Sequence, residues 1–562
     1  MNFSRTLLFP LLAGLPLFAE VTTVHVPMRD GVQLAADIYR EAGAASGPVV
    51  LTRTPYDRRK QKATGERWAK AGYTFVAQDC RGKFGSEGEF APYNNEGQDG
   101  YDTLEWIMQQ PWCGGRVGMV GASYVGAVQW QAAVERPPGL VAIAPQATWS
   151  SFYRNLYLGG CVRLSLIAGW LSGNSPRPKD VVVNDFSRAW LQLPLNEVDR
   201  AMGWEMPWLD AFLTHPRPDG FWTRLDLSAR LPELELPVLH VVGYYDYFSR
   251  ESVDNFVRMQ KQARDPETRR EQRLILGPWD HGTIGKSTVG EVDFGAGAVL
   301  DTQALQVEWF NRQLKKESAA PFVPVRYFSM GDNEWHEAQT WPPEGFTETA
   351  FYLQSGGRAN TDGGDGRLSR EAPAGSQPAD RFKADPADPV PSSPVTEQRP
   401  LKGAVWGPVD QAPTEKRGDV LVYTSEPLAT PLEFAGTAEA VLHVSTDTPD
   451  ADWAVKLVDV HPGGFAQNIA RGILRGRYRS SLLKPELMEA GVVYEIRVDL
   501  GPVAARLEAG HRLRVDISGA DFPLYDRNPN TAAGIFGSET VVATEAVHHA
   551  PEALSRIVLP VR

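Results

Sequence analysis

Three side chains, far apart along the chain, are of the types that acyl transfer needs. Ser123 lies in Gly121-Ala-Ser-Tyr-Val-Gly126, Asp246 in Gly243-Tyr-Tyr-Asp246, and His281 in Gly277-Pro-Trp-Asp-His281. A serine hydroxyl needs a base to take its proton, and the base needs an acid that fixes its tautomer and offsets the charge it gains. Each of the three follows a short apolar run, at 117–120, 236–243 and 272–277. Unrelated polar residues have little reason all to fall where strands end. Asp280 is a rival acid, but adjacent side chains on an extended segment point apart, which favours Asp246 as the partner of His281. The other histidines are weaker candidates: His240 and His443 lie within strands, His25 lies in the N-terminal strand, and His461 and His511 lie in the C-terminal part.

The elements around these residues alternate in type. Apolar runs at 47–53, 73–78, 117–120 and 141–145 read as strands, with helical spacing at 64–71 and 95–110 and a helix of small residues from Tyr124 onward. Strand and helix in alternation indicate an α/β fold with a parallel sheet and right-handed crossovers. Gly121 and Gly126 flank Ser123 as a sharp strand-to-helix turn requires, and such a turn lifts the hydroxyl beside the free N–H groups of a helix start. The amide of Tyr124 is therefore one expected oxyanion donor. A second should come from the loop after the 47–53 strand, where Tyr56 is either that donor or a packed aromatic. Between 148 and 231 the pattern changes to short Trp/Leu/Pro-rich helices at 151–158, 162–171, 186–193, 196–202 and 208–213, a helical cap inserted on the side where the strands end. Its tryptophans (149, 170, 190, 204, 208 and 222) are expected to pack helix against helix.

The sheet resumes at 236–243 and 272–277, with helices at 252–262 and 302–315. From 323 the helical signal disappears. Strands at 325–329, 349–353, 419–424, 437–445, 451–460, 472–478, 492–500, 512–518 and 540–546 indicate an all-β sandwich or jelly roll, and the Gly/Pro-rich stretch 354–394 reads as a surface excursion. The expected division is a catalytic core at 20–147 and 232–322, the cap at 148–231 and the β domain at 323–562.

At 562 residues, 42% of them hydrophobic, the chain is long enough for two or three packed domains. A net charge of −12 argues against nucleic acid or an anionic membrane as partner. Residues 1–19 carry a positive start and an apolar run too short to span a bilayer, so a signal peptide and an exported protein, periplasmic or extracellular, are expected. Cys80, Cys113 and Cys161 allow at most one bridge and read as small buried hydrophobes. With no His-Glu-x-x-His and no Cys-x-x-Cys, neither a metal nor a cofactor is expected.

The motifs together resemble the family of bacterial cocaine esterase, α-amino-acid ester hydrolases and X-Pro dipeptidyl-peptidases. The matching pieces are Pro27-Met-Arg-Asp-Gly31, Arg53-Thr-Pro-Tyr56, Asp79-Cys-Arg-Gly82, Ser86-Glu-Gly-Glu89, Gly121-Ala-Ser-Tyr-Val-Gly126, Gly243-Tyr-Tyr-Asp246, Gly277-Pro-Trp-Asp-His281 and Asp526-Arg-Asn-Pro-Asn530. That family spells its elbow G-x-S-Y-x-G, one residue longer than the common G-x-S-x-G, as here. The resemblance implies an α/β-hydrolase core with an inserted helical cap and a C-terminal jelly roll. It also implies Ser123 as nucleophile, His281 as base, Asp246 as its partner, and the Tyr56 hydroxyl with the Tyr124 amide as oxyanion hole. One departure stands out: where the amino-acid ester hydrolases carry acids for a substrate ammonium, Tyr247-Phe-Ser249 follows Asp246.

The expected reaction is hydrolysis of a small carboxylic ester, or an amide, through an acyl-enzyme. An exopeptidase or acyltransferase is the near alternative. An inert core beside a polymer-binding β domain is the alternative of another class. A homo-oligomer is compatible with either.

Overall fold

A computed structural model describes residues 20–178, 181, 189–317, 321–396 and 405–562. The expected signal segment, 1–19, lies outside the described residues, as does the start of the piece expected at 186–193.

The first sheet has ten strands. They are β1 (Glu20–Pro27), β2 (Gln33–Arg40), β3 (Gly47–Thr54), β4 (Thr74–Asp79), β5 (Cys113–Ala122), β6 (Leu140–Gln146), β7 (Val238–Gly243), β8 (Gln272–Gly277), β9 (Val325–Ser329) and β10 (Glu334–Ala338). Their spatial order is β1-β2-β4-β3-β5-β6-β7-β8-β9-β10, and every pair from β4 to β9 is parallel. β4 and β7 are buried along their whole length, which is why they read as continuous apolar runs. Helices α1 (Lys62–Lys70), α2 (Glu96–Met108) and α3 (Tyr124–Val134) supply the first crossovers. α3 is buried at every position, so its small residues show no polar stripe.

The cap contains α4 (Phe152–Leu156), α5 (Leu164–Asn174), α6 (Val198–Met202) and α7 (Pro207–Leu213), with a small hairpin pairing Tyr157 with Val162. The core continues through α8 (Ser249–Gln262), which lays Val253, Phe256 and Met259 into the interior, α9 (Pro266–Arg270) and α10 (Thr302–Phe310). Cys80, Cys113 and Cys161 are free thiols, the first and last buried.

The first sheet continues past the boundary expected at 323. β9 pairs in parallel with β8, and β10 pairs antiparallel with β9, so the first sheet runs on to Ala338. A parallel neighbour demands a crossover, and α10 is that crossover rather than the end of the core. Alternation identifies a strand, not the sheet it joins.

The second sheet has eleven strands: β11 (Thr347–Gln354), β12 (Arg367–Ser369), β13 (Asp380–Ala384), β14 (Val420–Thr424), β15 (Leu432–Thr446), β16 (Asp452–Val460), β17 (Ala466–Arg475), β18 (Tyr494–Leu507), β19 (Arg512–Ser518), β20 (Ala543–His548) and β21 (Arg556–Val561). The order is β13-β20-β15-β21-β11-β12-β14-β19-β16-β17, with β18 on the other side of β15. The stretch 354–394 is not a mere surface excursion, since β12 and β13 are ladder members and Asp380 is buried beneath Ser355, Tyr423 and His549. Its polar composition is spent on an internal network.

The three parts lock together through ion pairs and capped backbone. Arg475 of β17 bridges Asp452 and Asp526 at 2.8 and 2.9 Å, while Asp526 accepts from the Val162 amide in the cap. Arg250 of α8 reaches the Arg471 carbonyl at 2.8 Å. Asp526-Arg-Asn-Pro-Asn530 thus fastens the β domain to the cap.

Candidate active site

Ser123 stands at the corner between β5 and α3 with φ 62° and ψ −126°, a conformation that strains a non-glycine residue by about 1–3 kcal/mol. Its neighbours are glycines for steric reasons. A Cβ on Gly121 would come within 2.0 Å of Val125 Cγ1, and one on Gly126 within 2.7 Å of Thr148 Cβ. The Ser123 carbonyl is pinned by the Thr148 hydroxyl at 2.8 Å and by the Gly126 and Ala127 amides at 2.9 Å. Tyr124 opens α3, so its N–H is one the helix leaves without an internal acceptor.

The tips of β7 and β8 are held together beyond their ladder. Tyr244 N donates to the Gly277 carbonyl at 2.9 Å and Tyr245 N to the Trp279 carbonyl at 3.0 Å. A Cβ on Gly243 would lie 2.0 Å from that Trp279 carbonyl oxygen, so the approach requires glycine. This brings His281 Nδ1 to 2.8 Å from Asp246 Oδ2, with the carboxylate fully buried and its other oxygen accepting from Phe248 N at 2.7 Å. Asp280 is occupied elsewhere: its Oδ1 accepts from Gly282 N and the Thr283 hydroxyl at 2.9 and 2.8 Å.

Tyr56 follows β3 on a loop where its amide donates to Thr54 Oγ1 at 3.0 Å. Its hydroxyl accepts from Trp170 Nε1 at 2.9 Å and interacts with the Ser123 side chain. Burial raises this phenol above its ordinary pKa, against the lowering by those two partners, so it stays a protonated donor at neutral pH. The Tyr124 hydroxyl points away from the cavity's chemistry, donating to Glu96 Oε1 at 2.7 Å, and Glu96 is paired with the buried Arg53 at 2.9 Å. That chain of contacts anchors the start of α3 from below.

Ser123, Tyr56 and His281 line one cavity of about 940 Å³, bounded by cap residues such as Phe152, Leu166 and Trp190 and by Trp406 of the β domain. Its chemistry is that of an alcohol, an imidazole backed by a carboxylate, and hydrogen-bond donors, with mostly apolar walls.

Residues 30–283 match the model of the X-Pro dipeptidyl-peptidase (S15 family), and residues 321–558 match the X-Pro dipeptidyl-peptidase C-terminal non-catalytic domain. The chain is 38% identical to the cocaine esterase of Rhodococcus sp. (strain MB1 Bresler), covering 97% of this chain and 99% of the relative. The chain belongs to the S15 family. Among solved S15-like structures, an α-amino acid ester hydrolase superposes with a TM-score of 0.84 at 27% identity over 99% of this chain and 100% of that one. An aminopeptidase from a marine sediment archaeon, Thaumarchaeota archaeon, superposes with a TM-score of 0.85 at 27% identity, covering 99% of both chains.

As an S15-family member the chain is a serine hydrolase of esters, with an α/β core, a cap and an all-β domain. The residues after Asp246 pack on the base. Tyr247 and Phe248 pack on the His281 ring with centroids 4.4 and 5.1 Å away, and Trp406 packs edge-on to Tyr247 at 4.8 Å. Aromatic rings thus occupy the positions directly after Asp246 and pack on its histidine partner. Sequence reasoning missed Trp406, which sits in a Gly/Pro-rich segment without periodicity, and it read Trp170 and Trp190 as packing only, whereas both face the cavity.

Proposed function

We propose that this enzyme hydrolyses carboxylic esters bearing an apolar or aromatic acyl or alcohol part, by a covalent acyl-enzyme on Ser123. His281 takes the Ser123 proton as the hydroxyl attacks, then returns it to the leaving alcohol. Asp246 holds the imidazole with its far nitrogen toward the serine and offsets the charge of the imidazolium. The Tyr56 hydroxyl and the Tyr124 amide receive the oxyanion, and water activated by His281 releases the acid. The observation that carries this reading is the shared cavity of Ser123, His281 and Tyr56, with Asp246 bonded behind the imidazole. The apolar preference rests on the rings of Tyr247, Phe248 and Trp406, and on Asp280, engaged by its own turn, being the one acid among the described residues that line the wall. Export is part of the proposal and rests on residues 1–19.

A substrate panel tests it: aryl and alkyl esters of graded acyl size, α-amino-acid esters, and Xaa-Pro-anilides. The reading expects kcat/KM to be highest for uncharged aromatic esters. A preference for α-amino esters or Xaa-Pro-anilides would reverse it in favour of an exopeptidase.

A further inference from the structure

Outside the hydrolytic cavity, strand register collects three metal-ligating side chains at one edge of the β domain. β16 and β19 run antiparallel with Asp459 opposite Leu513 and Val460 opposite Arg512. One step beyond the ladder, the same register sets His461 opposite His511, and alternation puts 459 and 461 on one face. Both turns are fixed by backbone, His461 N donating to the Phe465 carbonyl at 2.9 Å and His511 N to the Glu508 carbonyl at 3.1 Å. The result is a compact group whose ligand atoms lie within 4.8 Å of one another. The His461 and His511 rings are 4.5 Å apart, and Asp459 Oδ1 bonds to His511 Nδ1 at 2.8 Å.

Asp459 is hydrogen-bonded to His511 and lies within ion-pair range of His461. The His461 Nε2 is buried without a hydrogen-bond partner and faces Asp459 Oδ2 at 3.6 Å, too far to bond. The Phe465 ring, edge-on at 5.4 Å, holds the imidazole in that orientation. Two imidazoles and a carboxylate thus converge at a range from which all three could ligate one cation, with His461 Nε2 used by no hydrogen bond.

We propose that Asp459, His461 and His511 form a binding site for a divalent d-block cation of the zinc class, its fourth position taken by water. Two imidazoles and one carboxylate suit zinc or cobalt better than calcium or magnesium, which call for all-oxygen shells. Bonds of roughly 2.0–2.1 Å in a tetrahedron put ligand atoms roughly 3.4 Å apart, so side-chain rotation on the order of 1 Å closes the site. Bound metal would tie the 461–465 turn to the 508–511 turn.

Cobalt(II) is the probe, added to the untagged full chain after dialysis against chelator. The proposal expects visible d–d absorption that saturates at one equivalent per chain, is displaced by zinc, and is abolished in His511→Ala and His461→Gln, with aryl-ester turnover unchanged. Turnover reports that each variant is folded. His461→Gln is decisive because that nitrogen makes no hydrogen bond to lose. No absorption in the parent chain, or the same absorption in His461→Gln, would overturn the proposal.

Discussion

Trp170 Nε1 donates to the Tyr56 hydroxyl at 2.9 Å, across the junction between the cap and the core. The indole uses an acceptor lone pair of the phenol and leaves its O–H free to turn toward an oxyanion. A neutral hydrogen bond of about 1 kcal/mol corresponds to roughly fivefold in rate. Trp170→Phe, which keeps an aromatic ring, is therefore expected to lower kcat by about fivefold on a small aryl acetate, measured under saturation. An unchanged kcat would show that the cap does not orient Tyr56.

Tyr56→Phe removes the donor itself. Loss of one preorganised oxyanion donor lowers kcat by about 10²–10³-fold, with little change in KM, because the interaction strengthens only as charge develops. Steady-state kinetics on the same ester separate this from a packing role, which would raise KM instead.

Asp246→Asn keeps the shape of the buried group but alters the proton it offers His281 Nδ1. An amide donating to that nitrogen favours the wrong tautomer, and kcat is expected to fall by about 10⁴-fold. Asp280→Asn, whose carboxylate serves its own turn, is expected to leave kcat within about threefold of the parent. Equal losses in the two variants would contradict the assignment of the acid.

Glu251 offers a test by pH. Its carboxyl on α8 accepts from the Ser151 amide at 3.0 Å at the start of the cap, and burial, opposed by Arg154, pushes its pKa up to about 7. A raised carboxyl pKa means the folded state holds the proton that the unfolded chain releases near the usual glutamate value. Stability from this group is then complete below about pH 4.3 and is lost as pH rises toward 7, by on the order of 3–4 kcal/mol. Glu251→Gln, neutral throughout, should flatten that fall in urea-unfolding midpoints between pH 4.5 and 7. Parallel curves for parent and variant would refute it.

The residues at strand tips were legible because each has a signal of its own. Ser123 has flanking glycines, and Asp246 and His281 each close an apolar run. What was not legible depends on partners distant in sequence. Nothing in Val325–Ser329 says that it joins β8 rather than the β domain, since the pairing is decided by the α10 crossover. Likewise, Asp380 looks like loop chemistry until Ser355, Tyr423 and His549 close around it. Trp406 reaches the cavity through tertiary packing on Tyr247 and Tyr525.

The central claim is that Ser123 is the nucleophile and that His281 activates it. Fluorophosphonate labelling of the parent, Ser123→Ala and His281→Ala, with the modified peptide located by mass spectrometry, tests it most directly. One phosphonylated residue is expected, Ser123, with no label in Ser123→Ala and labelling slowed by about 10³-fold or more in His281→Ala. A label on another residue, or undiminished labelling without the imidazole, would contradict it.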